Sequence, residues 1–174
     1  MKLRFKNKVA VITGAGRGIG YEIARQLVCE GASVVLNDID EVIVKESAAT
    51  LNAAGPGSCI PMPGDAADIS VISEMVACAV NEFGQLDMAV ANAGNTIFSN
   101  FLDVAVADFE KIIGLNIRGS FFLAQKAAKQ MCRQANGGRI LLVSSTIGLQ
   151  AHPNLATYSM TKGYSTLGVV TGKP

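Results

Sequence analysis

The stretch Val9–Gly20, VAVITGAGRGIG, constrains this chain more than any other. A short β-rich apolar run reaches Thr13, and glycines follow at positions 14, 16, 18 and 20. Ile19, Ile23 and Leu27 then recur at helical spacing, which predicts a helix closed by Gly31. Strand, glycine turn and helix in that order let backbone come close to a ligand, because a Cβ would block the approach. They also aim the unpaired N–H groups of a helix N-terminus at whatever sits over the turn. A pyrophosphate suits both features, so Gly14, Arg17, Gly18, Ile19 and Gly20 are candidate contacts to a dinucleotide. The turn is not a P-loop, since no Gly-Lys-Ser/Thr follows it. Methyltransferases also place glycines after a first strand, and other residues must separate the two classes.

The rest of the chain repeats the alternation. Ser33–Asn37 reads as a second strand, and a helix is predicted from Glu41 to Ala54, ended by Gly55. Ser58–Met62 is a weaker strand, interrupted by prolines at 61 and 63. Asp68 or Ser70 can cap the next helix, whose apolar face includes Ile72, Met75, Val76, Ala79 and Phe83, and Gly84 ends it. Leu86–Ala91 reads as a strand, Asp108 to Arg133 as a long helix, and Arg139–Ser144 as the last clear strand; Thr157 onward is helical again. The strands are continuous apolar runs, as expected where helices cover both faces of a parallel sheet. No linker, repeat or low-complexity stretch breaks the pattern. The expectation is one doubly wound α/β domain over residues 1–174.

Composition narrows the partners. Residues are 49% hydrophobic, ample for a core, and net charge is +1 with both signs scattered. No basic stripe invites nucleic acid, and no Lys/Arg run invites an anionic membrane. Cys29, Cys59, Cys78 and Cys132 are widely separated, without a metal-ligand spacing. They are expected to be reduced, mostly buried thiols. The basic start MKLRFKNK leads only into VAVI, too short for a signal peptide or for a span of ~20 apolar residues. A cytoplasmic location is expected.

Asp38 follows the second strand, about 20 residues beyond the glycines, where an acid accepts hydrogen bonds from the adenosine ribose. A 2′-phosphate there would meet its charge, so Asp38 favours NAD over NADP. Arg17 pulls weakly the other way. Asp38 also stands where it can cap the helix from Glu41, a task that Asp40 can take instead.

The set of motifs resembles the short-chain dehydrogenase/reductase family over almost every residue from Val9 to Gly163. TGAGRGIG matches its TGxxxGxG turn. Asp65 matches the acid that contacts adenine, with Ala66 beside it. Asn92-Ala93-Gly94 matches the core of the NNAG motif, although Ala91 stands where the family has its first Asn. Asn116, Ser145, Tyr158 and Lys162 match the catalytic tetrad. The ordered set with YxxxK excludes the methyltransferase reading. The resemblance implies a Rossmann fold, a nicotinamide cofactor (NAD preferred), a small alcohol or carbonyl substrate, and a homodimer or homotetramer in the full-length form.

The chemistry of these residues agrees. Asn116 is a polar side chain on the apolar stripe Phe109, Ile112, Ile113, where an unpaired amide is costly. Gly114 and Gly119 flank it, so a local bend is expected, freeing a carbonyl for the water of the family's proton relay. Ser144 and Ser145 end a strand, where doubly wound folds bind ligands; family spacing selects Ser145 as donor to the substrate oxygen. Tyr158 and Lys162 stand one helical turn apart. A free phenol titrates near ~10, too high for a base at neutral pH. The lysine and a positive nicotinamide ring would favour the phenolate, and Lys162 would also hold the nicotinamide ribose.

Family members continue well beyond the YxxxK helix, with a substrate lid and further strands. Here the helix meets Gly163, Gly168 and Gly172 and the sequence stops at Pro174. The expectation is a chain with C-terminal elements missing or truncated, a broken last helix, weak NAD binding, ready aggregation and little or no turnover. The alternatives to an enzyme are an impaired NAD(H)-binding module or a non-catalytic interaction protein. Loops 95–102 and 146–156 remain to meet substrate; His152, the only histidine, is expected to be uninvolved.

Overall fold

The computed structural model describes residues 3–134, 136–150 and 152–167. Its strands are β1 (Val9–Ile12), β2 (Ser33–Asp38), β3 (Ser58–Pro63), β4 (Met88–Ala91) and β5 (Arg139–Leu142). They form one five-stranded sheet in the order β3-β2-β1-β4-β5, every pairing parallel. The helices are α1 (Gly18–Cys29), α2 (Glu41–Ala54), α3 (Ile69–Phe83), α4 (Val106–Ile113), α5 (Ser120–Arg133) and α6 (Ala156–Leu167). This is the doubly wound Rossmann arrangement.

Strand residues alternate between two cores. Val9, Val11, Val35 and Ala89 pack with Ile72 and Met75 of α3 and with Leu123 and Ala127 of α5. Ala10, Ile12, Val34 and Leu36 pack on the other face with Ala24 and Val28 of α1 and with Val44 and Leu51 of α2. Both sets must be apolar, which is why the strands read as continuous hydrophobic runs. Because β1 lies between β2 and β4, the winding reverses there, and the crevice beyond the carboxyl ends of β1 and β4 is left open.

Several boundaries differ from the sequence reading for physical reasons. The prolines do not interrupt β3, which pairs with β2 as far as Asp38↔Pro63. As the outer strand of the sheet it tolerates residues without an N–H. Asp38 is the last residue of β2 and not beyond it. Its capping task falls to Asp40, which accepts N–H bonds from Val42 and Ile43, both at 3.1 Å. The long helix is divided: Gly114–Gly119 form a π-helical turn between α4 and α5, at the place where a bend was expected. A side chain at Gly119 would collide with the Ala66 carbonyl, so this turn sits close against the loop after β3. The last helix does not break at Gly163 but runs to Leu167; Gly168 and Gly172 lie outside the described residues.

The thiols are not mostly buried. Cys59 is, and burial on β3 pushes it up to about 12, whereas Cys132 is exposed on α5 and the other two are intermediate. Among the described residues there is no cluster of metal-binding side chains, and no helix is long and apolar enough to cross a membrane.

Candidate functional site

The glycine turn is held from several sides. Asn92 Nδ2 donates to the carbonyls of Thr13 (3.0 Å) and Gly14 (2.8 Å). The Thr13 hydroxyl accepts from the N–H groups of Asn92 and Ala93, both at 3.1 Å, tying the end of β4 to the turn. Ala15 N–H donates to the Asn37 carbonyl (2.7 Å), and Gly16 N–H to Asp38 Oδ2 (3.0 Å). Gly14 has φ +59°, and a Cβ there would lie 2.8 Å from Ala93 Cα, so conformation and space both demand glycine. Gly20 faces back into the turn: a Cβ would meet Asn92 Nδ2 at 2.6 Å and the Gly14 carbonyl at 2.7 Å. Its bare backbone serves close packing of helix on turn. Arg17 caps α1 without a side-chain hydrogen bond, so the first-turn N–H groups keep their capacity for an anion.

A cleft of about 620 Å³ opens over this turn. Gly14, Arg17, Asp38, Asp65, Ala66, Asn92, Ala93 and Gly94 line it, as read from the sequence. Gly18, Ile19 and Gly20 do not; Ile19 is exposed at the start of α1. The cleft adds Asn37, Ile39, Asn95, Leu115 and Arg118, which sequence reasoning missed. Arg118 donates to the Ala67 carbonyl at 3.1 Å, joining the π-helical turn to the loop after Asp65. A signal for Asn37 was present: it is a polar residue ending the apolar run VVL of β2.

The second part of the site is built by α6 against the carboxyl ends of β4 and β5. Asn116 is buried and fully engaged. Its Oδ1 accepts Asn95 N–H (3.0 Å), and its Nδ2 donates to the Asn95 carbonyl (2.9 Å) and to Thr161 Oγ1 (3.0 Å). Thr161 Oγ1 in turn donates to the Tyr158 carbonyl at 2.8 Å. One amide thus joins the loop after β4, the π-helical turn and α6. Sequence reading missed Thr161 because nothing in its spacing sets it apart.

Lys162 is buried, and its ammonium donates to the Val143 carbonyl at 2.8 Å. It lies 5.8 Å from the Tyr158 ring centre. A Cβ on Gly94 would sit 3.3 Å from this ammonium and 3.3 Å from Asn116 Oδ1, so the cleft wall and the Tyr158–Lys162 pair are adjacent. Ser144 Oγ donates to the Lys162 carbonyl at 2.8 Å, tying the segment after β5 to α6. Ser145 begins a short 3-10 turn (Thr146–Gly148), and its hydroxyl accepts only a long 3.4 Å bond from Ile147 N–H. His152 is exposed, with Nδ1 2.7 Å from the Pro153 carbonyl.

Burial holds the Lys162 ammonium below the usual lysine range. Between the folded and unfolded values the unfolded chain binds more protons, so stability rises with pH across that alkaline window. Lys162→Met is therefore expected to raise the melting temperature at neutral pH, by an amount that shrinks as pH climbs into the lysine range. Thermal unfolding followed over pH checks this; a variant less stable than the parent at every pH contradicts it.

The model of the short chain dehydrogenase family matches residues 8–166, and the chain belongs to that family. It is similar to elsinochrome reductase 1 of Elsinoe fawcettii, at 37% identity over 161 residues covering 92% of this chain and 59% of the relative. It is also similar to L-rhamnose 1-dehydrogenase (NAD(P)(+)) of Azotobacter vinelandii, at 37% identity over 159 residues, 90% of this chain and 62% of the relative. Among solved structures, a short chain dehydrogenase/reductase from Burkholderia phymatum in complex with NAD superposes with a TM-score of 0.89. That match is 28% identical and covers 94% of this chain and 57% of the other. The chain therefore spans about three-fifths of the length of the relatives it matches.

Proposed function

We propose that this chain is an oxidoreductase that moves hydride between NAD(H) and a small alcohol or carbonyl compound, with Tyr158 as acid/base. The observation that carries the reading is the buried Lys162 ammonium, one turn from Tyr158 and adjacent to Gly94 of the cleft wall. A buried cation costs stability and is best understood as serving chemistry. The cleft fits a dinucleotide: its floor is backbone without Cβ at Gly14, the helix above it lacks a side-chain cap, and Asp38 and Asp65 offer acceptors to a ribose and a purine.

When bound, the nicotinamide ring gives or takes the hydride. The chain's own residues handle the proton. In reduction the Tyr158 phenolic oxygen gives a proton to the substrate oxygen, and in oxidation it takes one. Ser145 donates a hydrogen bond to that oxygen. Lys162 supplies positive charge beside the phenol and a donor to the nicotinamide ribose. Asn116 holds the loop after β4 in register with α6, the helix that carries Tyr158 and Lys162. Turnover of NADH over a panel of aldehydes and ketones tests the reading. Tight binding without turnover on any of them would leave a nucleotide-binding module.

Asp38 makes NAD the preferred cofactor in this proposal. NADH is expected to bind about tenfold or more tightly than NADPH, because the carboxylate at the end of β2 repels a 2′-phosphate. Asp38→Asn should close most of that gap while keeping an acceptor for Gly16 N–H. Fluorescence titration with both cofactors measures it, and equal affinities in the unmodified protein would refute the preference. A homodimer or homotetramer of the full-length form, a cytoplasmic location and the lack of a nucleic-acid partner belong to the same proposal; light scattering, cell fractionation and a gel-shift assay test them.

A further inference from the structure

The backbone of Gly16 is gripped on both sides, by β2 and by α2. Its N–H donates to Asp38 Oδ2 at 3.0 Å, and its carbonyl accepts from Ser47 Oγ at 2.6 Å. Ser47 lies inside α2, where a serine hydroxyl ordinarily bonds back to a carbonyl of its own helix. Ser73 does so to Ile69 in α3 (2.7 Å), and Thr50 to Glu46 in α2 itself (2.9 Å). Ser47 instead reaches across 31 positions of sequence to the glycine turn. The grip needs a bare backbone: a Cβ on Gly16 would stand 2.9 Å from Asp38 Oδ2 and 2.9 Å from Ile43 Cγ2.

We infer that Ser47 is a positioning residue for dinucleotide binding, acting on the pyrophosphate through the Gly16–Arg17 peptide without touching the ligand. The inference rests on the proposed cofactor site. A peptide unit is planar and trans, so its C=O and N–H point in opposite directions. Fixing the Gly16 carbonyl towards α2 therefore fixes the Arg17 N–H away from α2. Arg17 lines the cleft at the cap position of α1, where that N–H is one of the donors open to a phosphate. Asp38 sets the other end of the same residue, so the carboxylate that reads the ribose also helps shape the turn. Such a donor arranged before the ligand arrives saves the ordering that binding would otherwise require.

The test titrates the parent, Ser47→Ala and Ser47→Thr with NADH, ADP-ribose and adenosine, and follows amide hydrogen exchange of the free proteins. Ser47→Ala is expected to weaken NADH and ADP-ribose about 3- to 10-fold, the range of one lost hydrogen bond. Adenosine, which has no pyrophosphate, should change by less than about twofold on the same scale. Ser47→Thr keeps the hydroxyl and should restore both ligands. Exchange at Arg17 and Gly18 should quicken in Ser47→Ala while the buried part of α2 stays protected. Unchanged ADP-ribose affinity in Ser47→Ala overturns the inference, as does an equal loss for adenosine, which would mean only a loosened α2. A parent that binds adenosine but neither NADH nor ADP-ribose overturns the proposed function itself.

Discussion

Tyr158→Phe is expected to lower turnover by about 10²- to 10⁴-fold, the usual contribution of a positioned acid or base, while NADH affinity stays within about twofold. The phenolic oxygen is the only atom removed. The ring keeps its place, because Thr161 holds the Tyr158 backbone carbonyl and not its hydroxyl. Lys162 keeps its bond to the Val143 carbonyl, so the neighbouring charge stays where it was. The loss should therefore fall on kcat and leave cofactor binding almost untouched. Steady-state rates on an active carbonyl substrate, set beside NADH titrations, separate the two quantities. Undiminished turnover in the phenylalanine variant would mean that another group moves the proton.

A comparably large effect is expected from a glycine that touches no ligand. Gly148 ends the 3-10 turn after Ser145, and a Cβ there would lie 2.6 Å from the Lys162 carbonyl carbon and 2.8 Å from Gly163 N. These are backbone atoms of α6 and cannot swing aside. Gly148→Val must push apart the turn that carries Ser145 and the helix that carries Tyr158 and Lys162. A displacement near 1 Å in such a site costs on the order of 10² in rate. Gly163, across the same contact, behaves differently: its Cβ would stand 3.4 Å from the Gly148 carbonyl, an ordinary approach. Gly163→Ala should leave turnover near that of the parent and add up to ~1 kcal/mol of stability, since alanine is the better helix former. Kinetics and thermal melts of the two variants decide the matter. Equal activity in both, or a larger loss in Gly163→Ala, would show that this contact does not set the geometry.

Periodicity carried most of the architecture. The helix Glu41–Ala54 has the boundaries its pattern predicts, and Gly84 closes α3 at φ +81° as its position implied. β3 was harder, because a proline is judged against a central strand until pairing shows which strand lies outside. The cleft residues were legible where a motif forces them, as at Gly14 and Asn92. Ser47 and Thr161 were not. Each bonds to a partner distant in sequence, and a serine or threonine inside a helix looks the same whether it bonds within the helix or beyond it. The exposure of Cys132 was hidden for a related reason: burial depends on what packs over a helix face.

The π-helical turn at Gly114–Gly119 acts as a phase adjuster between two stretches with different obligations. Upstream and within it, Ile112 and Asn116 face inward, and Asn116 must meet Asn95 and Thr161. Downstream, Leu123, Ala127 and Met131 must meet the sheet. An α-helix advances by about 100° per residue, and a π-bulge corresponds to one inserted residue. Deleting a single residue here would give a smoother cylinder and rotate everything beyond it by about that angle. Either the amide or the apolar stripe would then point the wrong way. The irregular turn lets one continuous segment keep two separate alignments, so its length in residues is constrained even at positions where the identity of the side chain is not.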